Sequence, residues 1–263
     1  MRTLRRLLIG LLAALTLTAL AVALSIPLGW ELAPDRVAAL TNVRVPGGGA
    51  GAVAAYLARP PGEGPFPAVV MIHEFWGLRE DIVRKADALA EEGYVVLAPD
   101  TMRGRSTAWL PTAIYQTATQ AQEDVNADLD AVFAWLAARP EVDPERVAVI
   151  GFCYGGRMAL RYGLHNPQVA LIGNVYGETE TDVARLRALP GPLLGIFGAE
   201  DRMIPLADVR AFERALEAAG ATFEVTVYEG VGHAFIDAGD PRAAGGAQAA
   251  AWAQIVRFLA RHL

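Results

Sequence analysis

Gly151-Phe152-Cys153-Tyr154-Gly155-Gly156 is the stretch whose setting decides the fold. Upstream, Arg146 to Gly151 is a short apolar run of the kind that forms a strand. Downstream, a helix is expected from Tyr154 to the Asn166-Pro167 stop, because proline disfavours helix in the residue before it. The segment therefore reads as strand, sharp turn, helix, with a cysteine at the apex and small residues on both sides. Such a turn strains its central residue and needs glycine wherever a side chain would strike the neighbouring strand or helix. It also points the thiol outward and aims the N–H of Tyr154 at a developing oxyanion beside the helix N-terminus. The bare pattern would equally suit a small buried cysteine; its place between strand and helix favours a nucleophile.

The same alternation runs outward in both directions. Ala68 to Ile72 and Tyr94 to Ala98 read as strands covered on both faces, with a helix from Arg79 to Glu92 between them, closed by Gly93. A long helix is expected around Thr119 to Arg139. Ala170 to Tyr176, Leu193 to Phe197 and Thr222 to Tyr228 supply further strands, and Leu206 to Ala219 and Ala243 to Leu263 further helices. Asn42 to Val45 and Ala52 to Arg59 flank Gly47-Gly48-Gly49 and read as an antiparallel hairpin at a sheet edge. Together these predict one doubly wound, mostly parallel α/β sheet with helices on both faces, whose ligands lie beyond the carboxyl ends of the strands.

Ahead of this body, Arg2, Arg5 and Arg6 precede an uncharged, largely apolar run from Leu7 to Trp30, long enough to cross a bilayer as a helix. Ala21-Val22-Ala23 offers a small-x-small cleavage pattern, so anchor and cleaved export signal both remain open. Under either, the arginines stay inside and the body is extracytoplasmic. Residues 1–36 are assigned to this leader and a short linker, and residues 37–263 to a single domain.

Composition narrows the chemistry. With 263 residues and 53% hydrophobic content, the chain can bury a sizeable core. A net charge of −6 without a long basic run argues against nucleic acid and for a small-molecule partner. Lys85 is the only lysine and falls in the charged, amphipathic helix after Arg79, leaving Schiff-base and serine–lysine mechanisms without an obvious lysine. Ser25 and Ser106, the only serines, lie in the apolar leader and a loop, so a G-x-S-x-G nucleophile is excluded. Cys153 is the only cysteine, which excludes an intramolecular disulfide and a cysteine-based metal cluster.

Of the four histidines, His165 and His262 end helices, where a cation suits the dipole. His73 ends a central strand beside Glu74, but Gly77 stands where a zinc-protease helix needs its second histidine, so the metal motif fails; His73 reads as a hydrogen-bonded wall or core residue. His233, in Glu229-Gly230-Val231-Gly232-His233-Ala234-Phe235, follows the last expected strand and is the candidate base. Asp201 follows the strand Leu193 to Phe197, where a carboxylate would fix the imidazole tautomer; Glu200 is its rival. Nucleophile, acid and base thus follow one another in the order associated with α/β-hydrolases.

With these blocks in place the body resembles the dienelactone hydrolase family, an α/β-hydrolase family, from about Thr41 to the C-terminus. The resemblance is carried by His73-Glu74-Phe75-Trp76-Gly77, Ala98-Pro99-Asp100, the cysteine turn, Gly198-Ala199-Glu200-Asp201 and Gly232-His233-Ala234-Phe235. It implies a Cys153, Asp201 and His233 triad without metal or cofactor, and an oxyanion hole from the N–H groups of Phe75 and Tyr154. It also implies that Glu74 contacts the resting thiol and helps it ionise when substrate arrives. The family holds a substrate carboxylate with two arginines. Arg103 or Arg105 stands for the first, whereas Asp237 occupies the expected place of the second and would repel an anion. The expected substrates are therefore neutral or weakly charged esters and lactones, walled by Trp76, Trp109, Tyr176, Phe235 and Met203. The protein is expected to act as a monomer, membrane-attached through its leader if uncleaved. A catalytically silent protein of this fold and a thiol redox sensor are the two other readings.

Overall fold

The computed structural model describes residues 2–33, 37–49, 51–236, 241–242 and 245–263. The chain enters through a long helix, α1 (Arg2–Glu31), and one turn, α2 (Val37–Leu40). Strands β1 (Val43–Val45) and β2 (Val53–Ala58) pair antiparallel as the expected edge hairpin. The alternating body then follows: β3 (Phe66–Ile72), α3 (Glu80–Glu91), β4 (Val95–Pro99), α4 (Leu110–Ala118), α5 (Gln122–Ala137), β5 (Val142–Phe152) and α6 (Tyr154–His165). It closes with β6 (Leu171–Val175), α7 (Val183–Leu186), β7 (Leu193–Gly198), α8 (Leu206–Ala219), β8 (Phe223–Tyr228) and α9 (Gly246–His262).

The eight strands form one sheet in the order β1-β2-β4-β3-β5-β6-β7-β8. From β4 onward every pairing is parallel, and only β1 with β2 and β2 with β4 run antiparallel. Val69, Val70, Val149, Ile150, Ile172 and Ile196 alternate between the two faces without exposure, which explains why the central strands read as continuous apolar runs. One core lies between the sheet and α5, α6 and α8; the other lies between the sheet and α3 and α9. This is the doubly wound arrangement expected from the alternation.

Two differences stand out. The helix expected around Thr119 to Arg139 begins only at Gln122, and Leu110–Ala118 form a separate helix, α4, for which the sequence pattern carries no expectation. Trp109 precedes α4 in extended conformation and Pro111 sits in its first turn, where a missing N–H costs nothing. The second is the placement of Lys85, which its charged, amphipathic helix does not by itself define. Its side chain points inward from α3, fully buried, paired with Asp81 at 3.2 Å and lying 5.2 Å from the Phe152 ring centroid.

Candidate active site

The turn after β5 has the geometry its composition demands. Cys153 sits at φ 54°, ψ −113°, a left-handed conformation rare for a residue with a side chain, and its N–H donates to Val175 O at 2.9 Å. Glycine is required around it. A Cβ on Gly151 would lie 2.0 Å from Gly155 O, and one on Gly155 would lie 2.2 Å from Ile72 O and 2.6 Å from His73 O. Helix α6 therefore begins directly against the ends of β3 and β5. Cys153 is left facing a cavity of about 260 Å³ at the carboxyl edge of the sheet.

Two other strand ends bring partners to the sulfur. His233, in the loop after β8, places Nε2 3.0 Å from Cys153 Sγ and Nδ1 2.7 Å from Asp201 Oδ2. Asp201, after β7, is buried, and its Oδ1 accepts from the backbone N–H groups of Met203 at 2.7 Å and Ile204 at 3.0 Å. Those two bonds fix the carboxylate, and the carboxylate fixes the ring, so that Nε2 is the nitrogen left for the thiol. Of the two neighbouring acids, Asp201 and not Glu200 meets the imidazole. The backbone amides of Tyr154 and Phe75 lie near enough to the sulfur to favour its ionised form.

Electrostatics keep the thiol protonated at rest. Burial pushes Cys153 up to about 12, the negative charges of Glu74 and Asp201 push the same way, and the two amides only partly oppose them. Glu74 lies at the end of β3 and accepts a hydrogen bond from Tyr176 Oη at 3.3 Å. Burial raises its carboxyl from the ordinary 4.5 to about 7; Asp81 adds to the rise, and Lys85, Tyr176 and Arg79 counter it. His73 is buried, accepts from the Thr101 N–H at 3.2 Å, and is lowered chiefly by burial, which suits a neutral structural ring.

The raised Glu74 carboxyl has a stability consequence. Because the fold favours the neutral acid, its contribution is complete below 4.5 and is lost as pH rises through about 7. At ~1.4 kcal/mol per pKa unit, the ionised carboxylate costs the fold on the order of 3 kcal/mol by pH 8. Glu74→Gln is therefore expected to raise the Tm at pH 8 and to leave it nearly unchanged at pH 4.5, as read by thermal melts across that range. Equal shifts at both pH values would show that the carboxyl carries no such penalty.

The cavity walls match the expected set in part. Of that set Tyr176 and Met203 line it, with Phe75 beside them, whereas Trp76, Trp109 and Phe235 do not. Trp76 instead packs its ring against Phe75, with centroids 4.4 Å apart. Arg103 lies outside the cavity: its Nε donates to Asp128 Oδ2 at 2.8 Å, and the guanidinium also reaches Asp128 Oδ1 and Gly51 O. Arg105 stacks its guanidinium 4.7 Å from the Trp30 ring centroid. Asp237 lies outside the described residues. The sequence reading missed Thr117, Arg157, Glu178 and Ile204. Arg157 could have been found, since it stands one helical turn after the nucleophile; it pairs with Glu178 at 3.4 Å and lies over the Tyr154 ring.

Comparisons with known proteins agree with this architecture. The model of the dienelactone hydrolase family matches residues 53–263. A candidate carboxymethylenebutenolidase of Methylorubrum extorquens is 33% identical over 241 residues, covering 81% of this chain and 82% of its own length. Another, from Escherichia coli, is 36% identical over 196 residues, covering 69% and 72%. The crystal structure of a candidate dienelactone hydrolase from Klebsiella pneumoniae superposes with a TM-score of 0.74 at 33% identity, covering 83% of this chain and 97% of that one. The chain, a hydrolase with the α/β-hydrolase fold, belongs to the dienelactone hydrolase family.

Proposed function

We propose that this enzyme hydrolyses neutral or weakly charged carboxylic esters or lactones through a Cys153, His233 and Asp201 triad and a thioester acyl-enzyme. The observation that carries the reading is the continuous contact from Asp201 Oδ2 through the His233 ring to Cys153 Sγ, at 2.7 and 3.0 Å, among residues far apart in the chain. As a carbonyl carbon approaches the sulfur, His233 Nε2 takes the thiol proton and the carbon–sulfur bond forms. The carbonyl oxygen then carries the charge, held by the N–H groups of Phe75 and Tyr154. Collapse of the tetrahedral adduct expels the alkoxide, which receives the proton from His233. Water activated by the same imidazole then adds to the thioester, releasing the acid and restoring the thiol.

The role of Glu74 follows from charge. Its carboxylate holds the thiol in the protonated form, so a substrate that displaces or neutralises it lowers the barrier to forming thiolate. A protonated thiol resists oxidation while the site is empty. The same property argues against a redox sensor, whose thiol is exposed and acidic; Cys153 is buried and raised.

The preference for uncharged substrates rests on the cations near the site. Arg157 already faces Glu178, and Arg103 is held by Asp128, so neither presents an unshared charge for a carboxylate. The full chain is expected to turn over p-nitrophenyl acetate and simple lactones, with a lower kcat/KM for an equally sized substrate bearing a free carboxylate. A panel of esters and lactones measured spectrophotometrically decides this. No turnover of any member would favour a silent binding protein.

The leader is assigned to a membrane anchor and the body to the extracytoplasmic side. The apolar part of α1 has the length and composition of a membrane span, and Arg5 and Arg6 mark its inner end.

A further inference from the structure

The C-terminal turns of α1 are built into the body beside the active site. From Leu4 to Leu24 its side chains are exposed, and contact with the body begins at Ser25. There Trp109 Nε1 donates to Ser25 Oγ at 2.8 Å, Thr112 Oγ1 to Ile26 O at 2.9 Å, and Thr107 Oγ1 to Gly29 O at 3.0 Å. Trp30 Nε1 donates to Gln116 Oε1 at 3.0 Å. A Cβ on Gly29 would lie 2.1 Å from Thr112 Oγ1, so α1 and α4 touch closely. A bilayer core takes about 20 helical residues, and counted from Leu7, after the arginines, these end at Ile26. The residues that receive α4 thus fall at the outer boundary of the hydrocarbon, and Trp30, Arg105 and Tyr115 cluster just beyond it, as residues of a membrane interface do.

The exposed apolar surface has the same location. Outside α1 and Leu32, the large apolar side chains exposed among the described residues are Trp109, Leu110, Ile114, Tyr115, Met203 and Leu206. They belong to two segments, both of which reach the cavity of Cys153: α4 through Thr117, and the α8 approach through Met203 and Ile204. Leu110, Ile114 and Thr117 follow the i, i+4, i+7 spacing of one helix face, so an apolar stripe runs along α4 to the cavity wall.

We propose that the mouth of the active site rests on the outer surface of the bilayer that α1 enters, and that the enzyme takes esters dissolved in that membrane. This rests on the hydrolase and anchor readings above. The occupant of the apolar rim is lipid, because among the described residues the exposed apolar surface that continues it is that of the membrane helix and Leu32 beyond it. A soluble ester needs no such seat, whereas a membrane-dissolved one meets the site without crossing water.

The test uses the full chain in vesicles of phosphatidylcholine and phosphatidylglycerol. In a Cys153→Ser background, a nitroxide attached through Ile114→Cys is expected to be accessible to oxygen and shielded from an aqueous nickel chelate, whereas one attached through Glu145→Cys is open to the chelate. Equal chelate access at the two sites, or spin–spin broadening at 114 from a second copy, would overturn the proposal. For activity, Leu110→Glu/Ile114→Glu is expected to lose tenfold or more on a vesicle-dissolved p-nitrophenyl palmitate while keeping acetate turnover within twofold. Equal retention on both esters would also overturn it. If the parent cleaves neither ester, the hydrolase reading fails, and the nitroxide result still decides the membrane placement.

Discussion

Replacing Cys153 with alanine is expected to lower kcat/KM on a short p-nitrophenyl ester by about 10⁴-fold or more, and His233→Ala by a similar factor. The equality is the informative part. In the proposed cycle the sulfur is the attacking atom, but with its proton held up to about 12 it attacks only as His233 Nε2, 3.0 Å away, removes that proton. Neither residue works alone, so the losses should not add: the double variant should be no slower than either single one. Asp201→Asn should fall less, by roughly 10² to 10⁴-fold, because the ring is still present but no longer held in the tautomer that leaves Nε2 free. Steady-state rates of the four variants check the pattern, with near-ultraviolet circular dichroism to show that each is folded. Loss on Cys153→Ala with retention on His233→Ala would instead point to Glu74 as the proton acceptor.

Gly155→Ala is expected to have a large effect on stability. The new methyl would lie 2.2 Å from Ile72 O and 2.6 Å from His73 O, both backbone atoms at the end of β3. Backbone cannot rotate away, so α6 must shift from the sheet or β3 must bend, and either movement disturbs a fully packed region. A loss of about 3 kcal/mol or more follows, measurable as a fall in denaturant midpoint. The same change displaces the Tyr154 amide, so any folded fraction should also show reduced turnover. Gly245→Ala is the control, since nothing lies within 4 Å of a Cβ there, and its midpoint should move little. Similar midpoints for both variants would mean that the close approach of α6 to β3 is not tight.

Much of this was legible in the sequence because the deciding signals are local. A buried parallel strand must be apolar throughout, and a turn that brings a helix against two strands must carry glycine, so Val147 to Ile150 and Gly151, Gly155 and Gly156 announced themselves. The proposed triad could be named because Cys153, Asp201 and His233 stand just after strands, at the one edge where such a sheet can gather them. What the sequence hid depends on distant neighbours. Helix α4 is nine residues long, and its apolar Leu110 and Ile114 face outward while Thr112 and Gln116 are buried, the reverse of an ordinary amphipathic pattern. Its burial pattern makes sense only once α1 lies alongside to accept Thr112 and Trp30 to meet Gln116. The burial of Lys85 was hidden for a similar reason: its place in a charged, amphipathic helix does not show that Asp81 and the Phe152 ring receive it inside. Arg103 matched a family position by its place in the loop after β4, yet Asp128 on α5 holds it elsewhere.

The most direct measurement is the mass of the enzyme caught during turnover. The full chain is mixed with an excess of p-nitrophenyl ester, quenched in acid within a turnover, digested and analysed for the site of the acyl group. The account predicts one added acyl mass on the peptide containing Cys153, labile to hydroxylamine as a thioester is, and absent from Cys153→Ala. An acyl group on any other residue, or undiminished hydrolysis by Cys153→Ala, would contradict it.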